Sequence, residues 1–454
     1  MAPKYTRPEA PVPADWPTGS AYEQTQTDAP IAHRLTWQQF FKDPKLQKTI
    51  EISLQNNRDL RIAALNVERA RGLYGIQRAE LLPTLDITGS ANKERLSGNF
   101  IGTNQSITVE NYSVNLGIVA WEIDFFGRIR NLKDRALKEY LATEHAHRSA
   151  QILLVSEVAV AYLTLAADQE NLQLAQSTLG SQQDAYDLIR RRYESGLATE
   201  LDLRQVQTRV DAARVDSIIY TRIVAQDETA LNLLVGSSVP ADLLPGSMNS
   251  ISQTEKISPG ISSEVLLRRP DILQAENLLM AAHANIGAAR AAFFPRISLT
   301  STVGTASGEL SGLFSSGSEV WTFAPRVVIP IFDARIWSGL SVTKTDREIA
   351  LAQYEKSIQI AFKEVADALA VQGTIEQQLS AQQSLVNAAA ETYRLSNTRY
   401  TKGIDSYLAV IDAQRSLYNA QQGFVAFRLA KFANQVRLYA VLGGGGDFPK
   451  KAKL

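Results

Sequence analysis

Most of this chain is written twice. Asp59 corresponds to Asp271 and Pro83 to Pro295, and 271 − 59 = 295 − 83 = 212, so NRDLRIAALNVERA and RPDILQAENLLMAA align without a gap. Farther on the offset becomes 207 and holds: Glu157 with Glu364, Arg192-Tyr193 with Arg399-Tyr400, Gly196 with Gly403, Gln207 with Gln414, Gly236 with Gly443. A duplication constrains the fold before any element is assigned, because what one copy builds the other builds too.

Each copy contains a switch from a helical to a strand pattern at a proline. In RAAFFPRISLT (Arg290 to Thr300), Ala284, Gly287, Ala288, Ala291 and Ala292 lead in at helical spacings, and Ile297 and Leu299 then alternate with Ser298 and Thr300. Proline has no N–H and biases Phe294 toward extended geometry, so a helix should stop there and a strand begin. Pro83 stands in the same place in LLPTLDITGS, with Leu85 and Ile87 alternating after it. Each copy then reads as short helix, strand, loop, strand, long helix, turn, long helix. The second strands are Tyr112, Val114, Leu116 and Ile118 alternating with Ser113, Asn115 and Gly117, and the series Trp321, Phe323, Val327, Ile329. Leu96 to Ser106 and Ser307 to Gly317, rich in Gly, Ser, Thr and Asn, read as loops.

The long helices carry a heptad seam: Ile358, Phe362, Val365, Leu369, Gln372, Glu376, Leu379, Gln383, Val386, Ala390 and Tyr393. From Trp337 to Tyr400 only Gly373 invites an interruption, giving on the order of 90 Å of helix at 1.5 Å per residue. Val410, Ala413, Leu417, Ala420, Phe424 and Phe427 form the seam of the return helix. Polar seam positions disfavour a dry two-helix core and suit a wide assembly with a wet inner face. Between the helices, RRYESGLATELDL and TRYTKGIDSYLAV place Gly196 and Gly403 where a left-handed residue ends a helix, and Thr199 and Ser406 where the next needs a cap. Ser237 to Ser263, with Pro240, Pro245 and Pro259, reads as an irregular linker; the proline-rich first 30 residues should run extended along the surface.

At 454 residues the chain suggests two to four domains. Its 47 basic and 47 acidic residues leave no net charge to argue for nucleic acid, and the lack of cysteine excludes disulfides, thiolate metal sites and a cysteine nucleophile. No apolar run reaches the roughly 18 residues of a spanning helix; the nearest, Ile152 to Ala167, is interrupted by Ser156 and Glu157. MAPKYTRPEAPVP has no apolar signal core, so any export signal is expected to have been removed. Strands of a membrane barrel leave a weaker trace than helices. Four strands cannot span a bilayer alone, because two edges would face lipid unpaired, so two, three or four chains would have to pool them.

The duplicated plan, IGAARAAFFPRISLT (Ile286 to Thr300), WEIDFFGRIR (Trp121 to Arg130), LLRRPDI (Leu266 to Ile272), SYLAVIDAQRSL (Ser406 to Leu417) and AVLGGGG (Ala440 to Gly446) resemble the outer-membrane factor family, relatives of TolC and OprM. The nearest branch is that of the lipoprotein channels serving resistance-nodulation-division efflux pumps. The resemblance covers nearly the whole chain. It implies a mixed α and β fold: a homotrimer with a 12-stranded outer-membrane β-barrel, four strands per chain, continuous with a periplasmic 12-helix α-barrel and an equatorial belt. The implied division is an extended segment at 1–35, equatorial and short-helix segments at 36–82 and 237–294, barrel strand pairs at 83–122 and 295–332, periplasmic hairpins at 123–236 and 333–442, and a tail at 443–454. Also implied are an outer-membrane location in a Gram-negative bacterium, contact with outer-membrane lipid, a periplasmic adaptor (membrane-fusion) protein and an inner-membrane transporter as partners. The chain would be a passive exit duct for drugs or other small toxic compounds, with no enzyme activity, cofactor, metal or nucleic acid. Lipoprotein members begin with an acylated cysteine, whereas this sequence has Met1 before APKYTRP. The anchoring cysteine is expected to have been removed; the alternative is a member that never carries the lipid.

The family closes its periplasmic end at the hairpin tips, here Tyr193, Gly196 and Thr199 and, in the second copy, Gly403 and Ser406. Carried over by position, the gate residues are Asp202, Tyr400, Asp412 and Arg415. Carboxylates repeated by threefold symmetry make a cation-attracting ring, and carboxylate–guanidinium bonds can tie helices together. Some relatives have a basic residue where this chain has Asp405, which is expected to join the acidic ring instead. For Asp202 the alternative is structural: Thr199-x-x-Asp202 has the form of a capping box. For Asp412 it is a solvated helix face. His145 and His147 point to nearly opposite sides of a helix and do not make a metal pair. Ser341-Val-Thr-Lys344 lacks the SDN and KTG triplets of penicillin-interacting enzymes, and Gly443 to Gly446 lacks the helix and GK[ST] of a phosphate loop. Trp121, Trp321, Phe125 and Phe126 suit either an interfacial girdle or packing at the barrel's lower end. Competing readings are a soluble coiled-coil scaffold, for which the exposed alternation at Tyr112 to Ile118 and Ile297 to Val303 would have no purpose, and a type I secretion or metal-efflux duct.

Overall fold

The computed structural model describes residues 1–22, 30, 32, 35–102, 105–252, 254, 255, 257, 258 and 262–445. Parts of the expected N-terminal segment, first loop and linker, including Pro259, and residues 446–454 of the expected tail lie outside the described residues. The elements are α1 (Trp37–Phe40), α2 (Pro44–Asn56), α3 (Arg58–Ala79), β1 (Asp86–Leu96), α4 (Gly98–Ile101), β2 (Ile107–Ile123), α5 (Arg128–Glu194), α6 (Glu200–Val235), α7 (Pro270–Ala291), β3 (Arg296–Ser307), β4 (Glu319–Val328), α8 (Ala334–Thr401) and α9 (Tyr407–Val441). The chain forms two compact units.

The first unit comprises residues 1–9, 66–144 and 274–354. Its centre is one antiparallel sheet in the order β1-β2-β3-β4. The helices before β1 and β3 stop short of their prolines and tighten: the N–H groups of Leu81 and Leu82 donate to Arg78 and Ala79, and those of Phe293 and Phe294 to Arg290 and Ala291. Three-residue spacing of these bonds marks a last turn wound as 3₁₀, which satisfies carbonyls that the prolines cannot reach. β2 extends past Ile118 through a bulge at which Ala120 has φ 58°, and the pairing with β3 shifts register between Ile118 and Trp121. β4 ends at Val328, one residue before Ile329 of the expected series.

The N-terminal residues of this unit are pinned rather than loosely laid down. Arg7 forks onto the buried Glu276 at 2.7 and 2.5 Å, Tyr5 donates to the same carboxylate at 3.0 Å, and Arg290 donates to the Met1 carbonyl. Gly287 is required on α7: a Cβ there would lie 2.2 Å from Asn131 Oδ1 and 2.7 Å from the Ala2 nitrogen.

The second unit comprises 10–65, 145–273 and 355–454. It is built on α2, α6, α9 and the parts of α5 and α8 in that range. Val158, Ala159, Tyr162, Leu165, Val206, Leu231, Ile358, Ala361 and Val365 are all buried in it. α8 runs unbroken through Gly373, which its neighbours hold in helical geometry despite glycine's entropic cost. The expected α8 seam needs one correction. Its column Ile358, Val365, Gln372, Leu379, Val386, Tyr393 is buried or half-buried, and Phe362, Leu369 and Ala390 are half-buried, but Glu376 and Gln383 are exposed and the deeper second column is Ala361, Ala368, Ile375 and Ala389, with Gln382 half-buried. Small residues allow close helix approach, which scoring by large apolar residues misses. Gly423 of α9 meets this column, where a Cβ would stand 2.6 Å from Gln382 Nε2.

The Ile152–Ala167 region also differs from the strict reading. α5 contains an 18-residue stretch apolar enough, by length and composition, to cross a membrane, but 56% of that stretch is buried inside the protein. Ser156 and Glu157 interrupt a run yet do not prevent a high average. The linker contains 3₁₀ turns at Ala241–Leu243 and Met248–Ser250, and a third, Ser263–Arg268, follows it. After the last of them, the Arg269 guanidinium of LLRRPDI bonds Asp271 (3.0 and 2.7 Å), Glu364 (2.9 Å) and the Val441 carbonyl (2.8 Å). Burial of a cation is costly unless it is so compensated.

Candidate functional site

The sheet has one apolar and one polar face. Pairing places Ile87, Leu116, Val303 and Trp321 in one row across all four strands, and their exposures are 75%, 43%, 60% and 76%. The next row, pointing the other way, is Thr88, Asn115, Gly304 and Val320; beside it run Ser90, Ser113 and Ala306, and Gly117, Thr302 and Thr322. Large apolar side chains left exposed in rows on one face of a sheet require an apolar medium or a partner. On the polar face the strands approach closely: a Cβ on Gly117 would stand 2.2 Å from the Ser301 carbonyl oxygen, and one on Gly304 2.1 Å from that of Val114. Glycines at such approaches mark the sharp bends of a barrel corner, with the glycine side inward. β1 and β4 each have one edge without a strand partner among the described residues.

The aromatic candidates divide between the two readings. Trp321 and Phe125 are exposed, whereas Trp121 is half-buried and Phe126 stacks on Phe294 at 4.9 Å. Ser341 and Lys344 lie inside α8, and the described residues hold no group of three or more His, Asp and Glu able to hold a metal ion.

The two hairpin tips share a backbone. Gly196 and Gly403 have φ +74° and +72°; the N–H of Leu197 donates to Arg192 C=O at 2.7 Å, and that of Ile404 to Arg399 C=O at 3.0 Å. This is the Schellman closure, and a side chain at either glycine would be strained. The caps then diverge. Thr199 and Asp202 form a reciprocal capping box, with Thr199 Oγ1 donating to the carboxylate at 2.7 Å and the Thr199 N–H at 3.0 Å. These bonds hold the Asp202 carboxyl below its usual range, and the side chain is committed to starting α6. Ser406 occupies the N-cap of α9, but its side chain makes no capping bond.

The remaining expected residues take distinct environments. Tyr193 is exposed. Asp405 accepts two bonds from Arg399, at 2.5 and 3.1 Å, which hold its carboxyl low and neutralise the charge expected to join an acidic ring. Asp412 and Arg415 are both exposed and meet at 3.4 Å as an i,i+3 pair on α9. Tyr400 accepts a 2.8 Å bond from Arg192, and its ring meets that of Tyr407 edge-on at 4.9 Å. Beneath these contacts Ile189, Val206, Tyr407, Val410 and Ile411 form one buried cluster from both hairpins, and Gln182 bonds Gln414 at 2.9 Å.

Arg192 and Arg399 were not among the sequence candidates, although the repeated Arg-Tyr pair displayed them. They occupy the same place in the two copies and do different work. Asp405 corresponds to Ala198 in the first copy, as 405 − 207 = 198, so Arg192 has no carboxylate at the equivalent position and donates to Tyr400 of the other hairpin.

Residues 49–237 and 261–444 match the family model described as "Outer membrane efflux protein". Over 446 residues the chain is 47% identical to TtgC of Pseudomonas putida, named as a probable efflux pump outer membrane protein, covering 98% of this chain and 92% of that one. A crystal structure of a membrane protein from Pseudomonas aeruginosa is 40% identical with a TM-score of 0.91, covering 98% and 97% of the two chains. The open state of the MtrE outer membrane channel of Neisseria gonorrhoeae is 36% identical with a TM-score of 0.87, covering 98% of both.

Proposed function

Because this chain belongs to the outer membrane efflux protein family, we propose that three copies close their sheets into a 12-stranded barrel gated by the paired hairpin tips. The chain is an outer-membrane exit duct that extends into the periplasm. The observation that carries the proposal is the sheet itself, with an apolar face, a polar face and two unpaired edges. A bilayer tolerates no open edge, so β4 of one copy must pair with β1 of the next until the sheet closes. About eight strands, two copies, would leave an interior filled by side chains; three copies are the smallest closure with an open lumen. The Ile87 row then faces lipid and the Thr88 row lines the lumen.

Conduction through such a duct is passive, and no residue is assigned a catalytic role. Its energy would come from an inner-membrane resistance-nodulation-division transporter, joined through a periplasmic adaptor, with small toxic compounds as cargo. At the gate, the Arg192–Tyr400 bond holds the hairpins of one chain together. Asp412 and Arg415, tied to each other only by an exposed contact, are available to neighbouring copies. Reconstitution into planar bilayers tests this reading: discrete conductance steps, small at rest and raised when the tips are disrupted, are expected. Protein that assembles yet never conducts would refute it.

A further inference from the structure

Near the C-terminal end of α6, well up the first hairpin from its tip, two carboxyls approach each other. Asp168 lies 26 residues before the end of α5 (194 − 168), and Asp227 lies 27 residues after the start of α6 (227 − 200), so both sit about 40 Å up the hairpin at 1.5 Å per residue. Asp227 Oδ2 is buried and receives no hydrogen bond from a donor among the described residues. Its neighbour within hydrogen-bonding reach is the Asp168 carboxyl.

Among the described residues, the cations on the neighbouring elements are engaged with other partners. From α5, Asn171 donates to Asp168 at 3.3 Å, while Glu170 is engaged by Arg428 of α9 and by the Met248 N–H. Asp216 and Tyr220 share the α6 face of Asp227; Gln422 of α9 donates to Tyr220, and Tyr418 faces Asp216. From α2, Lys45 donates to the Leu244 carbonyl and Lys48 pairs with Glu51. Burial and the Asp168 charge push the Asp227 carboxyl up to about 6. Like charges in one site cannot both ionise cheaply.

We propose that Asp168 and Asp227 form a proton-operated latch between α5 and α6. One proton, taken from periplasmic water, turns two mutually repelling carboxylates into a carboxyl–carboxylate pair in which Asp227 donates to Asp168. Its loss restores the repulsion and loosens the base of the first hairpin. An acidic surrounding therefore stiffens this part of the helical wall, and a neutral one leaves it supple. The sign follows from linkage: the native pair binds a proton that the unfolded chain has released, so stability contributed here is full at low pH and is lost as pH rises toward 6.

The test is hydrogen exchange on the assembled full chain in detergent, corrected for intrinsic rates, at about pH 5 and about pH 7.5. Amides of α5 and α6 flanking Asp168 and Asp227 should exchange about tenfold more slowly at the lower pH. Asp227→Asn and Asp168→Asn, in which an amide donates to the remaining carboxylate without a titrating proton, should protect the same amides at both pH values. The latch is overturned if the wild-type amides show no pH difference, if the difference spreads evenly over the β-sheet, or if it survives in either variant. Should one variant fail to assemble, the other and the wild type decide.

Discussion

Arg192, in the last turn of α5, donates a 2.8 Å hydrogen bond to the hydroxyl of Tyr400, in the last turn of α8, with its guanidinium carbon 5.5 Å from the centre of that ring. One residue thus joins the two copies of the duplicated unit where their helices turn. The contact has a planar, charge-assisted form that lysine cannot reproduce.

Tyr400→Phe keeps the ring and removes the acceptor. If this bond holds the closed tip, losing about 1 kcal/mol shifts the closed–open balance about fivefold. Basal conductance in planar bilayers should rise accordingly, and Arg192→Lys should do the same. Arg192→Lys combined with Tyr400→Phe should add little beyond either alone. Additive effects would mean that the two side chains act separately.

Asp412→Ala and Arg415→Ala separate a gate from a solvated face. Within one chain their exposed pair contributes roughly 0–1 kcal/mol, so thermal stability should barely change. If the pair bonds to neighbouring copies at the closed tip, resting conductance should increase in both variants. Unchanged conductance in both would place the lock elsewhere.

The structural work of Asp202 has its own signature. Thr199→Ala removes the capping box and should cost about 1 kcal/mol, seen as faster exchange of the first α6 amides. The Asp202 carboxyl is held low by Thr199, so its stabilisation is present above the unfolded carboxylate range and is lost as pH falls through the folded value. Asp202→Asn should therefore differ from wild type at neutral pH and converge with it well below about pH 4.

Gly304→Ala tests the inward bend of the sheet. Its Cβ would fall 2.1 Å from the Val114 carbonyl oxygen, a backbone atom that cannot move aside without breaking the β2–β3 ladder. The variant should assemble poorly in membranes, with lost heat resistance of the oligomer on electrophoresis. Gly89→Ala, where a Cβ meets nothing within 4 Å, serves as the control and should assemble normally.

These features were not equally legible. The duplication, the two proline switches, the alternating strands and the glycine turns are local patterns, and local backbone chemistry wrote them into the sequence. The Arg192–Tyr400 bond spans 208 residues, and nothing near Arg192 announces it; only comparison with Arg399 and Asp405 in the second copy explains the difference. Ala120 carries no mark of the bulge it occupies, because β2–β3 pairing imposes its positive φ from outside. The alanine-rich column of α8 leaves little trace in the sequence, because close helix approach selects for small size whereas an apolar seam shows through its large residues. Asp202 matched two motifs at once, and geometry alone could choose between cap and gate.

Closure of the sheet by three copies sets the width of the lumen and the place of every gate residue. Native mass spectrometry of the detergent-extracted protein measures it directly. Pairing of β4 with β1 around a 12-stranded barrel predicts one species of three times 49.9 kDa, about 150 kDa. A predominant monomer, or an assembly of two or four chains, would contradict it.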